Sequence, residues 1–355
     1  MIGSAAPGGA EGQLTRLAAG LTARGHDVTV YFLVHGGPLT KVLDDAGVPW
    51  HLFGAIRPES SKRAKLVELA RFVREIRQTR PDVVYAWLPG VTWVALPAVA
   101  VFSRARRVAA FRGLVQTFEV RTPMRRRAFR WAVRNAHAVT ANAPWLENEA
   151  RSWGARPARV RFMANGVQLP SIGADVGIQP PTAVVLANFF AYKRHELVVR
   201  ALAHVPETRV LFIGSGDLLE QTRNLAHELG VIDRTTFVDD CDDAAPYLRS
   251  AQFAIHPSST EGMSNAILEE LAHGLPVVAT NVGATSLLIE DGTSGILVPA
   301  EDLDALTRGM SRLATSPDLR AAMSPGARAA AERFSWDAVF QQHEQLFATV
   351  ARRQE

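Results

Sequence analysis

Glu261 directly precedes a short Gly-Met-Ser-Asn segment, and a second glutamate, Glu269, lies in the helical pattern that follows this segment. Ser264 and Asn265 are residue types that commonly cap the start of a helix. Helical side chains lean toward the helix N-terminus, so the Glu269 carboxylate should reach back toward Glu261. Carboxylates accept hydrogen bonds from sugar hydroxyls, and first-turn amides suit sugar or phosphate oxygens. The alternative is that Glu269 only complements the helix dipole.

Two glycine-rich turns could lie close to a phosphate. The turn at 214–216 follows an apolar run and precedes a helical pattern, but Leu219 replaces the third glycine of a dinucleotide-binding fingerprint. The pair Gly8 and Gly9 precedes the first helical pattern of the chain. Either turn could instead be a simple connection without a ligand.

Cations and acids also occur next to strand patterns. Lys193 and Arg194 follow the apolar run 183–188, where cations would offset the charge of a diphosphate leaving group. A surface pair of cations would have the same sequence. Asp240 and Asp242 have the spacing of the Asp-x-Asp metal clamp of some sugar transferases. They directly precede a helical pattern, so we interpret them as helix caps and predict no metal site.

Composition limits the class of protein. The chain has 355 residues, of which 47% are hydrophobic and 21% charged, which is typical of a soluble globular protein with room for two domains. Its single cysteine, Cys241, excludes an internal disulfide and fits a cytoplasmic setting. We find no N-terminal signal pattern, and the apolar run 91–102 is too short to span a membrane.

Charge is concentrated in one segment. Residues 104–134 contain ten arginines and one acid, Glu119, with Phe118, Phe129 and Trp131 between them. This pattern is compatible with a solvated helix face, with a surface for anionic lipid or phosphate, or with a nucleic-acid patch. We expect no nucleic-acid partner and a possible peripheral contact with the inner face of the membrane.

β-branched runs alternate with helical patterns in both halves, which indicates an α/β protein with two parallel sheets covered by helices. The predicted strands are 27–34, 82–87, 107–111, 138–141, 159–164, 183–188, 209–214, 235–239, 253–257, 276–280 and 295–299. The predicted helices are 10–24, 62–79, 122–136, 144–153, 193–204, 217–229, 264–273, 302–315, 317–333 and a last helix capped by Ser335. The Gly- and Pro-rich stretch 165–181 reads as a linker. A ligand site then belongs at the carboxyl ends of strands, in a cleft between the domains.

Together, these motifs resemble those of the retaining glycosyltransferases of family 4, which have the GT-B fold. The resemblance covers nearly the whole chain and rests on the Glu261–Glu269 pair, Lys193, and the segments IGSGDL, NGV and GGAEG. It implies two Rossmann-like domains that face each other across a cleft. The implied parts are an acceptor-binding domain at 1–168, a linker at 169–181, a nucleotide-sugar-binding domain at 182–334, and a helix at 335–355 that returns to the first domain.

The resemblance also implies roles for individual residues. Glu269 would hold the ribose of a nucleotide-sugar donor, Glu261 would lie beside the sugar, and Lys193 would neutralise the leaving diphosphate. Arg112 stands where relatives commonly have a histidine, and would contact the acceptor or a phosphate. The implied catalytic set is therefore Glu261, Lys193 and Arg112. The implied donor-binding set is Gly8, Gly9, Asn188, Arg194, Gly214, Ser215, Gly216, Val238, Gly262, Met263, Ser264, Asn265 and Glu269.

The chain departs from the family pattern in two further ways. The usual arginine before the phosphate lysine is absent, since Asn188 and Phe190 stand in that region, and Arg194 is the nearest substitute. Relatives also have a whole strand before the residues that match Gly8. We therefore raise the hypothesis that the first strand is truncated and the first sheet lacks a central strand.

The implied activity is metal-independent transfer of a hexose-like sugar, with retention, from a nucleotide-diphosphate sugar carrying UDP or GDP. The acceptor would be lipid-linked or a polysaccharide of the cell envelope, and no cofactor is expected beyond the donor substrate. Such enzymes attack from the face that the diphosphate leaves. Two alternatives stay open: a GT-B protein that binds a nucleotide sugar without transferring it, and a GT-B nucleotide-sugar epimerase.

Overall fold

The computed structural model of this chain describes residues 1–6, 8–53, 61–113, 120–170, 182–239, 241 and 243–351. The chain forms two compact units. Unit 1 comprises Met1–Gly166 together with Trp336–Glu355, and unit 2 comprises Val167–Ser335. Both units consist of parallel strands connected by helices, which confirms the α/β class predicted from the alternating patterns.

Unit 1 begins with strands that the sequence only partly revealed. Its strands are β1 (Ile2–Ser4), β2 (Val30–His35), β3 (Trp50–Leu52), β4 (Val83–Trp87), β5 (Arg106–Phe111), β6 (Ala138–Ala141) and β7 (Val160–Phe162). The helices between them are α1 (Gly9–Ala23), α2 (Thr40–Asp45), α3 (Lys62–Thr79), α4 (Pro89–Phe102), α5 (Pro123–Asn135) and α6 (Pro144–Ser152). The apolar run 91–102 is thus a helix of unit 1, with its proline near the middle.

The strands of unit 1 pair in two parallel groups, β1-β2-β3 and β4-β5-β6-β7. Met1 connects them, because its amino group donates to the carbonyl of Tyr85 at 2.8 Å and its carbonyl accepts from the amide of Trp87 at 2.8 Å. Residues 2–4 therefore supply a three-residue strand where the sequence suggested a missing one. This strand pairs with β2 in parallel, with a shift of register between Ile2 and Ser4.

Unit 2 has one six-stranded parallel sheet with the order β10-β9-β8-β11-β12-β13. Its strands are β8 (Thr182–Leu186), β9 (Arg209–Ile213), β10 (Thr235–Val238), β11 (Phe253–His256), β12 (Val277–Thr280) and β13 (Gly295–Val298). Its helices are α7 (His195–Leu202), α8 (Leu219–Glu228), α9 (Ala245–Ser250), α10 (Asn265–Ala272), α11 (Thr285–Leu288), α12 (Leu303–Thr315) and α13 (Pro317–Glu332).

The strand order of unit 2 reverses between β8 and β11. From β8 the chain proceeds outward through β9 and β10, and then returns to place β11 on the other side of β8. The connections that leave β8 and β11 therefore turn away from each other at the carboxyl edge of the sheet. In open parallel sheets this point forms the crevice in which ligands bind.

The last helix, α14 (Trp336–Ala351), belongs to unit 1. The ring of Phe340 occupies the space that a side chain on Gly20 of α1 would need. Phe347 lies 5.9 Å from the ring of Tyr85 on β4, and Arg24 donates to Glu344 at 2.9 Å. Apolar and charged contacts together fix α14 onto this unit.

The residues that the structure describes include no helix long and apolar enough to cross a membrane. The sequence patterns missed α4, a helix of 14 residues that is apolar along nearly its whole length and so shows no alternation of apolar and polar faces. They also missed β1, α2, β3, α9 and α11, which have between three and six residues each. Elements of this length are too short to show a clear hydrophobic period.

Candidate active site

Lys193 and Glu261 meet at the point where the strand order of unit 2 reverses. Lys193 ends a short 3-10 turn (Ala191–Lys193) after β8, and Glu261 lies in the loop after β11. The Nζ of Lys193 donates to Oε1 of Glu261 at 2.6 Å. Their side chains are only 13% and 10% exposed, so this is a largely buried ion pair. The structure thus brings together two of the three catalytic residues predicted from the sequence.

A third residue, His256, completes this cluster, and the sequence patterns did not reveal it. His256 is the last residue of β11 and is buried. Its Nε2 lies 3.0 Å from Oε1 of Glu261 and 3.2 Å from Oγ of Ser258. A histidine that follows an apolar strand is a weak signal in sequence, because such residues are often ordinary core residues.

The cluster favours an ionised Glu261. Burial alone would raise the pKa of this carboxyl, but the hydrogen bond from His256 and the charge and hydrogen bond of Lys193 outweigh burial and lower the pKa. Burial lowers the pKa of His256, against the opposing hydrogen bond to Glu261. Both shifts favour an ionised Glu261 beside a neutral imidazole of His256 at neutral pH.

The loop that carries Glu261 is fastened from the neighbouring strand. Thr280 on β12 donates its hydroxyl to the carbonyl of Ser258 at 2.5 Å, and the amide of Ala284 donates to the carbonyl of Gly262 at 2.9 Å. Gly283 has a φ of 61°, and a side chain there would overlap the backbone carbonyl of Glu261. Only glycine allows this close approach without strain.

Helix α10 begins directly after this loop, as predicted. Ser264 is its N-cap, and the side chain accepts from the amide of Ile267 at 3.4 Å. Asn265 is the first helical residue, and Met263 before the cap is buried. Glu269 is half-buried in the second turn.

The residue next to it, Glu270, is an unexpected feature of the site. Its side chain is fully buried, and neither carboxyl oxygen has a hydrogen-bond partner within the described part of the chain. Burial, reinforced by the charge of Glu269, raises the pKa of Glu270 well above its ordinary value. The environment thus shifts the pKa values of Glu270 and Glu261 in opposite directions, upward for Glu270 and downward for Glu261.

The glycine turn at 214–216 lies against the loop that follows β8. Gly214 and Gly216 have φ values of 143° and 145°, and side chains there would overlap the backbones of Ala187 and Phe189. The carbonyl of Ser215 accepts from the amide of Phe189 at 2.8 Å. The turn is thus packed beside the loop that contains Asn188 and leads to Lys193.

The same turn contacts the end of β10. The amide of Gly214 donates to the carbonyl of Val238 at 3.0 Å, so the predicted base-binding and phosphate-binding segments are neighbours. Two aromatic side chains between Asn188 and Lys193, those of Phe190 and Tyr192, stack with ring centroids 6.0 Å apart and are about two-fifths exposed, at 42% and 41%. Together these residues line the carboxyl edge of the sheet.

Arg194 does not join the Lys193–Glu261 pair. It adopts a left-handed backbone conformation with a φ of 56°, and its guanidinium forms ion pairs with Glu301 and Glu196. The positive charge of Arg194, which the sequence analysis assigned to the diphosphate, is thus paired with two carboxylates of the protein. Within the described residues, Arg194 is therefore a poor substitute for the arginine that is absent at Asn188.

Arg112 of unit 1 cross-links the carboxyl ends of several strands. Its Nη1 donates to the carbonyl of Met163 at 3.0 Å and to Oδ1 of Asn165 at 3.1 Å. Its Nη2 donates to the hydroxyl of Tyr85 at 3.3 Å, and the guanidinium lies 4.2 Å from the ring centroid of Trp87. These contacts assign Arg112 a structural function in addition to any contact with an acceptor.

The glycine pair at the start of α1 is arranged as a helix N-terminus. Gly8 is the N-cap and Gly9 the first residue of α1. The carboxylate of Glu11 folds back over Gly8 into the space that a side chain there would occupy. Glu11 is at the position from which an acid commonly returns to the N-cap.

The Asp-x-Asp segment is only partly described, because Asp240 and Asp242 lie outside the described residues. The next acid, Asp243, accepts from the amide of Ala245 at the start of α9, at 3.0 Å. Asp243 stands one position before the N-cap residue Ala244. The capping function predicted for Asp240 and Asp242 itself stays a prediction. No group of three or more potential metal-binding side chains occurs among the residues that the structure covers.

Two protein-family models match the two halves of this chain. Residues 7–169 match the family model described as Glycosyltransferase Family 4, and residues 180–316 match that described as Glycosyl transferases group 1. The lipopolysaccharide core biosynthesis glycosyltransferase LpsE of Rhizobium meliloti is 25% identical over 279 residues, which are 77% of each chain. The D-inositol 3-phosphate glycosyltransferase of Saccharomonospora viridis is 36% identical over 212 residues, which cover 52% of this chain and about half (49%) of that protein.

Among solved structures, Anabaena HepE in complex with UDP superposes on this chain with a TM-score of 0.85. The match covers 98% of both chains at 19% identity. The same Anabaena protein has also been solved with UDP-glucose. The strand order and the likeness to HepE show the GT-B fold, with two Rossmann-like domains. With the family matches over both halves, the chain belongs to glycosyltransferase family 4.

Proposed function

We propose that this protein transfers a sugar, with retention and without a metal, from a UDP-sugar to a lipid-linked or polysaccharide acceptor. The observation that carries the proposal is the buried Lys193–Glu261 pair at the strand-order reversal of unit 2. The proposed nucleotide rests on HepE, which is solved with UDP and UDP-glucose. The acceptor class rests on LpsE, whose name refers to lipopolysaccharide core biosynthesis.

On the donor side, each group has a task that its chemistry suits. Lys193 offsets the negative charge that develops on the diphosphate as the sugar departs. The ionised Glu261 accepts hydrogen bonds from hydroxyls of the transferred sugar, because a carboxylate at this pKa only accepts. Glu269 accepts from the paired hydroxyls of the ribose. The N-terminus of α10 favours the diphosphate through its amides and dipole.

Retention follows if the acceptor hydroxyl attacks on the face from which the diphosphate leaves. The departing phosphate oxygen can then accept the proton of the acceptor, so no separate protein base is required. Arg112 cannot act as such a base, since a guanidinium does not lose its proton at physiological pH. Binding energy from the ribose and diphosphate is used to hold the anomeric carbon in place for the acceptor.

A membrane-associated acceptor would be reached through helix α5. Its sequence from Pro123 to Asn135 contains five arginines and no acid. Phe129, Ala132 and Val133 are buried, while Met124 and Trp131 are 69% and 43% exposed. A basic helix face with exposed apolar side chains suits an anionic membrane surface. We propose that this face docks the protein onto anionic lipid.

Calorimetric titration with UDP, GDP and ADP tests the donor site. We expect one diphosphate to bind in the micromolar range and Glu269→Ala to weaken it at least tenfold, about 1.4 kcal/mol. Glu220→Ala, on an exposed position of α8, is the matched control and should leave affinity unchanged. If none of the three nucleotides binds a well-folded protein, the donor assignment is wrong.

The stereochemistry and the metal requirement need turnover. With UDP-glucose as donor, proton NMR of the anomeric signal of the first-formed product should show the α configuration of the donor. The rate should not change in the presence of EDTA. A β product, or a rate abolished by EDTA and restored by Mg²⁺ or Mn²⁺, would contradict the proposed chemistry.

A further inference from the structure

One ring nitrogen of His256 connects the beginning, middle and end of the loop that carries Glu261. Nε2 lies 3.2 Å from Oγ of Ser258, 3.0 Å from Oε1 of Glu261, and 3.4 Å from Oγ of Ser264. Ser264 is also the N-cap of α10. His256 itself is 1% exposed, so water does not compete for these contacts.

The partners of His256 determine its tautomer. A carboxylate only accepts hydrogen bonds, so a neutral His256 must carry its proton on Nε2. Nδ1 is buried and makes no hydrogen bond within the described ranges. The polar contacts of the ring are therefore made by Nε2, and the shortest of them is to Glu261.

Lys193 and His256 donate to the same oxygen of Glu261. The Nζ of Lys193 lies 2.6 Å from Oε1 and the Nε2 of His256 lies 3.0 Å from it. One donor is charged and sits on a long flexible side chain. The other is neutral and fixed in the core at the end of a strand. The two donors thus differ in how easily they can leave.

We propose that His256 is a positioning residue that keeps Glu261 ionised and in place when Lys193 turns to the diphosphate of the donor. This inference rests on the function proposed above for Lys193. A buried carboxylate that loses a charged partner is stabilised less against its desolvation cost. Because His256 remains hydrogen-bonded to Glu261, Lys193 can leave the ion pair while the buried carboxylate keeps a hydrogen-bond donor.

The test compares UDP with UMP, because the difference between their affinities reports the contact with the second phosphate. In the unmodified protein UDP should bind more tightly than UMP, and Lys193→Ala should reduce the UMP-to-UDP ratio of Kd values about tenfold. His256→Leu should reduce the same ratio at least threefold. His256→Gln, whose amide nitrogen can take the place of Nε2, should restore most of it.

A double-mutant cycle separates this mechanism from general damage to the fold. If His256 acts through Glu261, His256→Leu should have no further effect on the ratio in a Glu261→Ala background. The matched control is His343→Leu on α14. His343 is equally buried at 1% and hydrogen-bonds to the Val339 carbonyl of its own helix. This substitution should leave the ratio unchanged, whatever it does to stability.

The outcomes distinguish the inference from the function on which it rests. If Lys193→Ala leaves the UMP-to-UDP ratio unchanged, the proposed diphosphate contact is wrong. If Lys193→Ala lowers the ratio but His256→Leu does not, the positioning function of His256 is wrong. Additive effects of the His256 and Glu261 substitutions, or failure of glutamine to restore the ratio, would also overturn it. Should GDP or ADP be the ligand, its mono- and diphosphates replace UMP and UDP.

Discussion

Lys193 donates to Glu261 at 2.6 Å although 68 positions separate the two residues and each follows a different strand. They meet because β8 and β11 are neighbours in the sheet at the point where the strand order reverses. The pair holds a cation in place before any donor arrives. Because this cation already lies beside the site, its side chain needs only to turn toward the diphosphate when the donor binds, and it can then stabilise the negative charge that develops during the reaction.

Replacement of Lys193 should therefore affect turnover far more than replacement of its neighbour. Lys193→Ala should lower the rate of UDP release from UDP-glucose on the order of a hundredfold. Arg194→Ala should lower it less than about threefold, because Arg194 is paired with Glu301 and Glu196 instead. Coupled detection of UDP measures both rates. Equal losses in the two variants would show that Arg194 does contact the diphosphate.

Glu270 should make stability depend on pH. Its folded-state pKa is raised above the ordinary 4.5 by burial and by Glu269, so the folded state keeps a proton that the unfolded state releases. Stability is then fully present below that ordinary value and is lost as pH rises toward the folded-state pKa. Glu270→Gln removes the titration and should stabilise the protein at pH 8 by about 1 kcal/mol or more.

Thermal unfolding at pH 4.5 and pH 8 checks this expectation. The midpoint of Glu270→Gln should exceed that of the unmodified protein by about 2–4 °C at pH 8, and the difference should shrink at pH 4.5. Glu220→Gln, with its side chain 71% exposed, is the control and should show no such dependence. A Glu270→Gln variant that is less stable at both pH values would mean that Glu270 is ionised and paired.

Gly283 should be more sensitive to substitution than another glycine with a positive φ. Gly283→Ala would combine a left-handed backbone, which costs about 1–2 kcal/mol, with overlap of the Glu261 carbonyl. Gly292 has a φ of 80° but open space around it, so Gly292→Ala should cost only the backbone contribution. Denaturant unfolding measures the difference in the free energy of unfolding.

The two alanine variants should also differ in ligand binding. Gly283→Ala displaces the loop that carries Glu261 and should weaken UDP binding about tenfold. Gly292→Ala lies in a separate turn before β13 and should bind UDP normally. If both variants bind UDP as tightly as the unmodified protein, the loop tolerates the shift and Glu261 is not fixed by it.

Docking through α5 should depend on both charge and apolar contact. The protein should sediment with vesicles that contain roughly 30% anionic phosphatidylglycerol, and roughly 0.5 M salt should release much of it from the vesicles. Met124→Ser combined with Trp131→Ser should reduce binding at low salt, since both side chains are exposed. Leu229→Ser, at an exposed position of unit 2, is the control. Unchanged binding of the double variant would contradict this docking face.

Local signals in the sequence predicted much of the framework around the site. Ser264 is a strong capping residue type, and it does cap α10. The glycines at 214 and 216 follow a strand pattern, and both have a conformation that other residues rarely adopt. The ends of β10 at Val238 and of β11 at His256 were predicted within about a residue, because each apolar run stops at a residue type that is rare in strands, Asp239 or Pro257.

Contacts between distant residues could not be obtained in this way. The Lys193–Glu261 pair depends on the order of strands in the sheet, which local periodicity does not encode. Arg194 pairs with Glu301, more than a hundred positions away, and has a positive φ that no composition signal marks in a non-glycine residue. Glu270 resembles a solvent-exposed acid in sequence, yet the face of α10 that carries it is packed in the core.

The placement of α14 on unit 1 has a consequence for biosynthesis. Unit 2 is contiguous, from Val167 to Ser335, whereas unit 1 needs Trp336–Ala351 to fill the groove beside Gly20. During synthesis, the first 166 residues leave the ribosome long before their final helix exists. The half that is translated second can therefore complete its core first, and the N-terminal half keeps an apolar surface uncovered until Trp336–Ala351 has been translated.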